Sequence, residues 1–229
     1  MTFTMGFDLS TASGLELSFD ERANSEVLAT LLRTEHYEML LQAGDMEHIM
    51  PELTRHLEDL RVGQCYMNYY VARLTGKFVK VVLSGIGGDE LFGGYPWRYL
   101  HGAHATSEDQ FCVDYYNFWQ RLVRDERKKE FLRPHVFSEV DEGGPFQNFR
   151  SIIAQSGVQV DSREGSINAA LYFELRSFLH GLLLMEDKVS MAHSLETRLP
   201  FLDNDLVDFA LGLPVSLKLR DLNSLTSTI

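Results

Sequence analysis

Residues 77–99, KFVKVVLSGIGGDELFGGYPWRY, have the form of a hydrophobic strand that runs straight into a cluster of glycines. Phe78-Val79-Lys80-Val81-Val82-Leu83 is apolar and β-branched over the length of a buried strand. It stops at Ser84-Gly85. Gly87-Gly88, the acidic pair Asp89-Glu90 and Gly93-Gly94 follow at once. Open α/β sheets keep their ligand crevices at the carboxyl ends of strands, where missing Cβ atoms let the backbone approach a phosphate or nucleoside. Carboxylates in such a turn can hold magnesium, a hard cation that takes oxygen ligands. The same pair can instead cap the following helix, whose amino end favours negative charge. On these residues alone both readings stand.

The flanking sequence supplies alternation. Residues 1–8, MTFTMGFD, read as a strand and 9–18 as a loop. A helix is expected over about 20–33, with Ala23, Val27, Leu28, Leu31 and Leu32 near helical spacing, then a strand over 34–41. Residues 45–57 read as a helix with Ile49, Leu53 and Leu57 on one face. A further helix over 64–76 is expected to turn Met67, Tyr70, Val71 and Leu74 to the core. Strand, helix and strand in this order predict an α/β fold with a parallel sheet. Beyond Tyr99 the chain turns helical: an amphipathic helix within 109–133, a loop over 138–145, an apolar helix over 165–185 and a last helix over 205–211. The division reads as an α/β nucleotide-binding part over 1–105 and a mainly helical part over 106–229.

Charge and cysteine content exclude several functions. The 229 residues carry 21 Lys and Arg against 33 Asp and Glu, a formal net charge of -12. No basic stripe is present to displace counterions, which argues against nucleic acid. ATP stays open, because backbone N–H groups and a metal can hold it. Cys65 and Cys112 make no disulfide framework and read as buried structural thiols, so a reducing cytoplasm is expected. No signal peptide is visible and no apolar run reaches the ~20 residues of a membrane span.

SG-x-GGDELFGGY, with the W-R-Y that follows, and a second block over 185–203, MEDKVSMAHSLETRLPFLD, resemble the synthetase domain of glutamine-dependent asparagine synthetases. The resemblance runs from Phe3 to about Leu219. It implies a parallel sheet of the adenine nucleotide alpha hydrolase, or PP-loop ATP pyrophosphatase, type. It also implies ATP and Mg2+, with aspartate activated as an aspartyl-adenylate and amidated by ammonia that a glutaminase domain draws from glutamine. The backbone of Met5 would hold the adenine, although by itself the segment reads as an ordinary core strand. Ser84, Gly85, Gly87 and Gly88 would line the nucleotide and Asp89 would contact magnesium. Lys188 would lie by the phosphates, and Glu196 and Arg198 form the E-x-R element that orients charged groups. Without the resemblance, Lys188 and Arg198 read as surface ion pairs, Arg198 with Glu196 or Asp187. Glu58-Asp59 resembles the family's acidic turn near nucleotide and substrate, or is a solvated helix end.

Departures from the family pattern set further expectations. The family's SGG-x-DS nucleotide loop would precede Met1, its glutaminase domain falls outside these residues, and a downstream lysine would follow Ile229. Ile86 stands where many synthetases carry Glu or Asp. The chain is therefore expected to be a fragment, weak or inactive alone, with an open strand edge that favours homo-oligomers. Three readings stay open. The parent is an asparagine-forming ligase, an amidotransferase or cyclase that adenylates another small carboxylate, or a protein with an incomplete nucleotide site and a regulatory role.

Overall fold

The computed structural model describes residues 1–8, 10, 20–58, 65–121, 123–141 and 143–219. In chain order the first elements are β1 (Thr2–Phe7), α1 (Arg22–Leu32), β2 (His36–Leu41), α2 (Asp45–Leu57), α3 (Cys65–Thr75) and β3 (Val81–Leu83). Short helices α4 (Gly88–Phe92) and α5 (Pro96–Tyr99) lead to α6 (Glu108–Trp119). A 3-10 turn (Asp125–Arg127), α7 (Lys128–Phe131), α8 (Pro134–Phe137) and α9 (Gly144–Gln155) follow. Then α10 (Arg163–Phe173) passes through a π-helical turn (Glu174–Phe178) into α11 (Leu179–Met191). The described residues end with β4 (Glu196–Arg198), a 3-10 turn (Pro200–Leu202), α12 (Asn204–Leu211) and α13 (Val215–Lys218). These elements form two compact units, residues 1–84 with 182–200, and residues 85–181 with the described residues from 201 to 219.

In the first unit every strand pairing is parallel, as the alternation predicts. β1 lies beside β2 with Met5 opposite Met39, and β3 beside β4 with Val82 opposite Thr197. Among the described residues these are two separate two-stranded sheets. The core of this unit joins Phe7, Leu41, Ile49, Leu53, Leu57, Cys65, Tyr69 and Val189. Ile49, Leu53 and Leu57 are buried as their spacing requires.

Three expectations change here. The strand over 78–83 shortens to Val81–Leu83, because the N–H groups of Lys77, Phe78 and Val79 donate back to Leu74 and Thr75 at the end of α3. A donor spent on a helix end cannot join a ladder. In α1 only Ala29 is buried, and Val27, Leu28, Leu31 and Leu32 are exposed. That helix meets β1 through Ser25 Oγ on Thr4 Oγ1 (3.3 Å) and Arg22 Nη2 on the Phe7 carbonyl (3.0 Å), which turns its aliphatic stripe outward. In α3 the buried stripe is Cys65, Tyr69, Tyr70, Ala72 and Thr75, so Met67, Val71 and Leu74 are only half-buried. Apart from Ser10, the loop expected over 9–18 lies outside the described residues.

The Arg22 contact makes a pH prediction. Asp20 accepts from Arg22 Nη2 (2.7 Å) and Nε (3.0 Å) and from the Phe7 N–H (3.2 Å), and Arg22 above all holds its pKa down to about 2 from 3.8. A carboxylate whose folded pKa is depressed contributes stability above its unfolded pKa and loses it as pH falls through the folded value. Chemical denaturation midpoints should drop between pH 4 and 2. Asp20→Asn should flatten part of that slope. An unchanged slope in Asp20→Asn would remove this pair as a contributor.

The second unit is helical. Its core gathers Tyr99, Phe111, Cys112, Tyr115, Phe149, Ile153, Ile167 and Phe173. The helix expected within 109–133 stops at Trp119, because Asp125 organises a turn there. Its N–H donates to Gln120 Oε1 (2.6 Å), and its carboxylate takes Tyr116 Oη (2.6 Å) and Lys128 Nζ (2.5 Å). The loop expected through residue 145 gives way to α9, with Pro145 in its first turn, where a missing N–H costs nothing. The expected helix over 165–185 extends over α10, the π turn and α11. Asp203 starts α12, accepting from the N–H groups of Asp205 (3.1 Å) and Leu206 (3.4 Å). Both cysteines are buried, and burial pushes the Cys112 thiol up to about 11, consistent with structural thiols. No helix among the described residues is long and apolar enough to cross a membrane.

Candidate functional site

The sequence-predicted site residues fall into two groups, one in each unit. Met5, Ser84, Lys188, Glu196 and Arg198 belong to the first. Gly85, Gly87, Gly88 and Asp89 belong to the second.

In the first unit the short β3–β4 ribbon sets the arrangement. The Ser84 N–H donates to the Arg198 carbonyl (2.9 Å), which carries the parallel ladder one residue past β3. Glu196 and Arg198 are two apart on a strand and so share a face. Their side chains pair at 2.9 Å, both more than half exposed, so Glu196 and not Asp187 partners Arg198. Thr197, on the opposite face, donates to Glu186 Oε1 (3.2 Å), and Asn68 Nδ2 reaches Glu186 Oε2 (3.3 Å). Burial raises the pKa of Glu186, whose two hydrogen-bond donors are neutral. The Glu186 carboxylate thus ties β4 to α11 and α3. Sequence reasoning passed over Glu186. Its only signal was its place two residues before Lys188 and the period-two alternation that sends Thr197 away from its neighbours.

Lys188 has different partners. Its Nζ donates to the Leu57 carbonyl (2.6 Å) and lies 3.4 Å from Glu58 Oε2. A cation at a helix carboxyl end satisfies a carbonyl that has no partner within the helix. Glu58 closes α2 with φ 52°, a left-handed conformation uncommon outside glycine, and its N–H donates to Thr54. The structure therefore joins Lys188 to Glu58, a link that sequence did not offer. Asp59 lies outside the described residues. Met5 sits half-buried in β1 against the core, as an ordinary core strand requires.

In the second unit the glycine turn opens α4. Gly87 has φ +98°, and a Cβ there would collide with Leu202. Gly88 faces Phe201, whose ring carbons would lie 3.5 Å from an added Cβ. The two signature blocks thus pack on each other, with Phe201 and Leu202 of the PFLD run seated over the glycine pair. Packing alone requires glycine at Gly87. Gly85 differs: it is exposed, and an added Cβ would meet nothing within 4 Å.

The acidic pair divides. Glu90 is 2% exposed and accepts from the Gly87 N–H (3.0 Å) and Tyr95 Oη (3.1 Å). Three residues past the cap is the position from which a Glu reaches back in a capping box. Glu90 is therefore the helix-capping member, and the carboxylate takes no part in an open site. Burial, first, and the Glu90 charge push the Tyr95 hydroxyl well above its usual range. Asp89 is exposed, and its backbone carbonyl accepts from the Gly94 N–H (2.8 Å). Among the described residues no three His, Cys, Asp or Glu side chains group as a metal cage. A lone exposed Asp89 fits a magnesium ion that takes one protein carboxylate and completes its shell with water and substrate phosphates.

The asparagine synthase family profile matches residues 1–225, nearly the whole chain. The chain belongs to the asparagine synthase family. It is 27% identical to asparagine synthetase [glutamine-hydrolyzing] 1 of Bacillus subtilis, over 96% of this chain and 37% of the relative. A putative asparagine synthetase [glutamine-hydrolyzing] of Mycobacterium bovis is 28% identical over 96% of this chain and 36% of its own length. An amidase of Gibberella zeae, chry2, is 25% identical over 62% of this chain and 27% of the relative. The chain thus spans little more than a third of the length of these two asparagine synthetases. Within the asparagine synthase family, the glycine turn and the PFLD run are here one packed structural unit.

Proposed function

We propose that this chain is the synthetase part of an ATP-dependent amide-forming ligase. In this reading aspartate is activated by ATP as β-aspartyl-AMP with release of pyrophosphate, and ammonia drawn from glutamine by a glutaminase domain forms asparagine. Activation is needed because a carboxylate is a poor electrophile, and the site must orient two anions and offset charge that builds on the pyrophosphate. The observation that carries the reading is the exposed backbone at Gly85. No side chain fills the space beside it, within a chain that matches the family over residues 1–225.

Each residue then has a role. Gly85 presents backbone to the nucleotide beside Ser84, whose N–H is held by the Arg198 carbonyl. Gly87 and Gly88 shape that turn, and Met5 lies along the strand expected to carry the adenine contact. Lys188 and Arg198 supply positive charge for phosphate and carboxylate oxygens. Glu58 and Glu196, their present partners, hold them in place until substrate replaces one contact. Asp89 would hold magnesium, which when bound offsets phosphate charge. The sheet is assigned to the PP-loop pyrophosphatase type, its open strand edge to homo-oligomer contacts, and the setting to the cytoplasm, in keeping with two buried thiols. Ile86 favours a second substrate reading, another small carboxylate in place of aspartate, because isoleucine can neither coordinate metal nor act as a base.

ATP–pyrophosphate exchange tests the proposal. Label should enter ATP when aspartate and magnesium are supplied to this chain or to one extended upstream through any SGG-x-DS segment, and Lys188→Ala should cut the rate at least about tenfold. Exchange with a different carboxylate and none with aspartate would move the assignment to the second reading. No exchange with any carboxylate, in folded protein, would overturn the ligase reading.

A further inference from the structure

Just past the end of α6, in the second unit, a cavity of about 480 Å3 is lined by Gln120, Arg121, Arg124, Arg127, Glu130 and Phe131. Three guanidiniums and one carboxylate gather there, in a chain whose acids outnumber its bases by 33 to 21. Local charge of the opposite sign to the molecule is what a site for an anion requires, since the remaining surface repels that ligand.

Arg121 is the distinctive member. Its guanidinium carbon lies 4.4 Å from the Phe118 ring centre and 4.9 Å from that of Trp119. No carboxylate among the described residues pairs with it. Aromatic faces hold the plane of a guanidinium and leave its fork of N–H donors unspent, and that fork matches a phosphate or carboxylate edge bidentately. Arg127 is committed to Glu130 at 3.0 Å. Arg124 is not: its nearest carboxylate, Glu126, stands 3.9 Å away with both side chains about two-thirds exposed. Two cations thus have donors to give. Gln120 adds a polar side chain to the wall, and Phe131, 70% exposed, an apolar one.

We propose that this cavity binds a small anion of the phosphate class, with Arg121 gripping two oxygens and Arg124 closing on a third. Burial and the nearby Arg98 charge push the Arg121 pKa down against the pull of Glu174, and a bound anion would offset the Arg98 charge. The residues lie outside both signature blocks, so the inference stands independently of the ligase reading.

Inorganic pyrophosphate is the probe. The chain has two tryptophans, so in a Trp97→Phe background Trp119 alone reports by fluorescence. A saturable change at low salt is expected, weakening as ionic strength rises. Arg121→Gln and Arg124→Gln should each weaken binding about tenfold, and Arg121→Lys should recover only part because an ammonium has no fork. Arg121 is exposed, and a melting curve for each variant verifies that it folds. Calorimetric binding with no Trp119 change, or binding untouched by Arg121→Gln, would place pyrophosphate elsewhere and overturn the inference. Absence of any binding at low salt would overturn it as well.

Discussion

Arg98→Ala should lower the stability of the chain by about 3–5 kcal/mol, read as the shift in urea midpoint multiplied by the slope. Arg98 lies in the second unit, its guanidinium carbon 3.7 Å from the Tyr95 ring centre and 4.2 Å from that of Phe178. Its Nη1 donates to Glu174 Oε2 at 3.1 Å, and Tyr115 Oη donates to Glu174 Oε1 at 2.6 Å. Glu174 and Tyr115 are wholly buried. Burial pushes the Glu174 pKa up, against the pull of Tyr115 and Arg98, so the carboxylate depends on both partners. Removing the arginine strands that carboxylate in a low-dielectric interior and empties the slot between two rings. The loss is a large part of a typical folding free energy of about 5–15 kcal/mol. Arg150→Ala is the matched control. Its bond to Asp109 is shorter, 2.6 Å, but the two side chains are 42% and 80% exposed, and solvent screening limits the expected loss to under about 1 kcal/mol. Equal shifts for the two variants would contradict the account.

Gly87→Ala and Gly85→Ala should separate fold from binding. At Gly87 the methyl group meets Leu202 and the backbone sits at φ +98°, so strain and overpacking together should cost about 2–4 kcal/mol. At Gly85 the methyl enters open space, and the melting temperature should stay near that of the parent chain. If the nucleotide lies against this turn, Gly85→Ala should still weaken ATP binding about tenfold, because the added Cβ keeps the ligand off the backbone. Thermal melts and an ATP titration on both variants decide the matter. A Gly85→Ala chain that binds ATP like the parent would remove that residue from the site. A Gly87→Ala chain that melts unchanged would refute the packing account.

Elements whose signals were local were legible. Ile49, Leu53 and Leu57 bury as a 3.6-residue period requires, and the parallel sense of both strand pairs follows from helices between strands. What misled were stretches where a distant residue competes for a backbone group or a side chain. Phe78 and Val79 have every property of a strand, yet their N–H groups are already taken by α3. Leu28, Leu31 and Leu32 have helical spacing, yet the polar contacts of Ser25 and Arg22 decide which face of α1 meets β1.

The site divides in the same way. The two blocks that carry the resemblance to the family were legible in the sequence, because each is a run of consecutive residues. Only the tertiary structure decided which member of Asp89-Glu90 is spent on capping, that Lys188 grips the end of α2 beside Glu58, and that Phe201 and Leu202 sit over Gly88 and Gly87. Each of those outcomes depends on residues 3 to 131 positions apart. The longer of those separations are closed by hydrophobic burial across the whole unit, which no local pattern encodes.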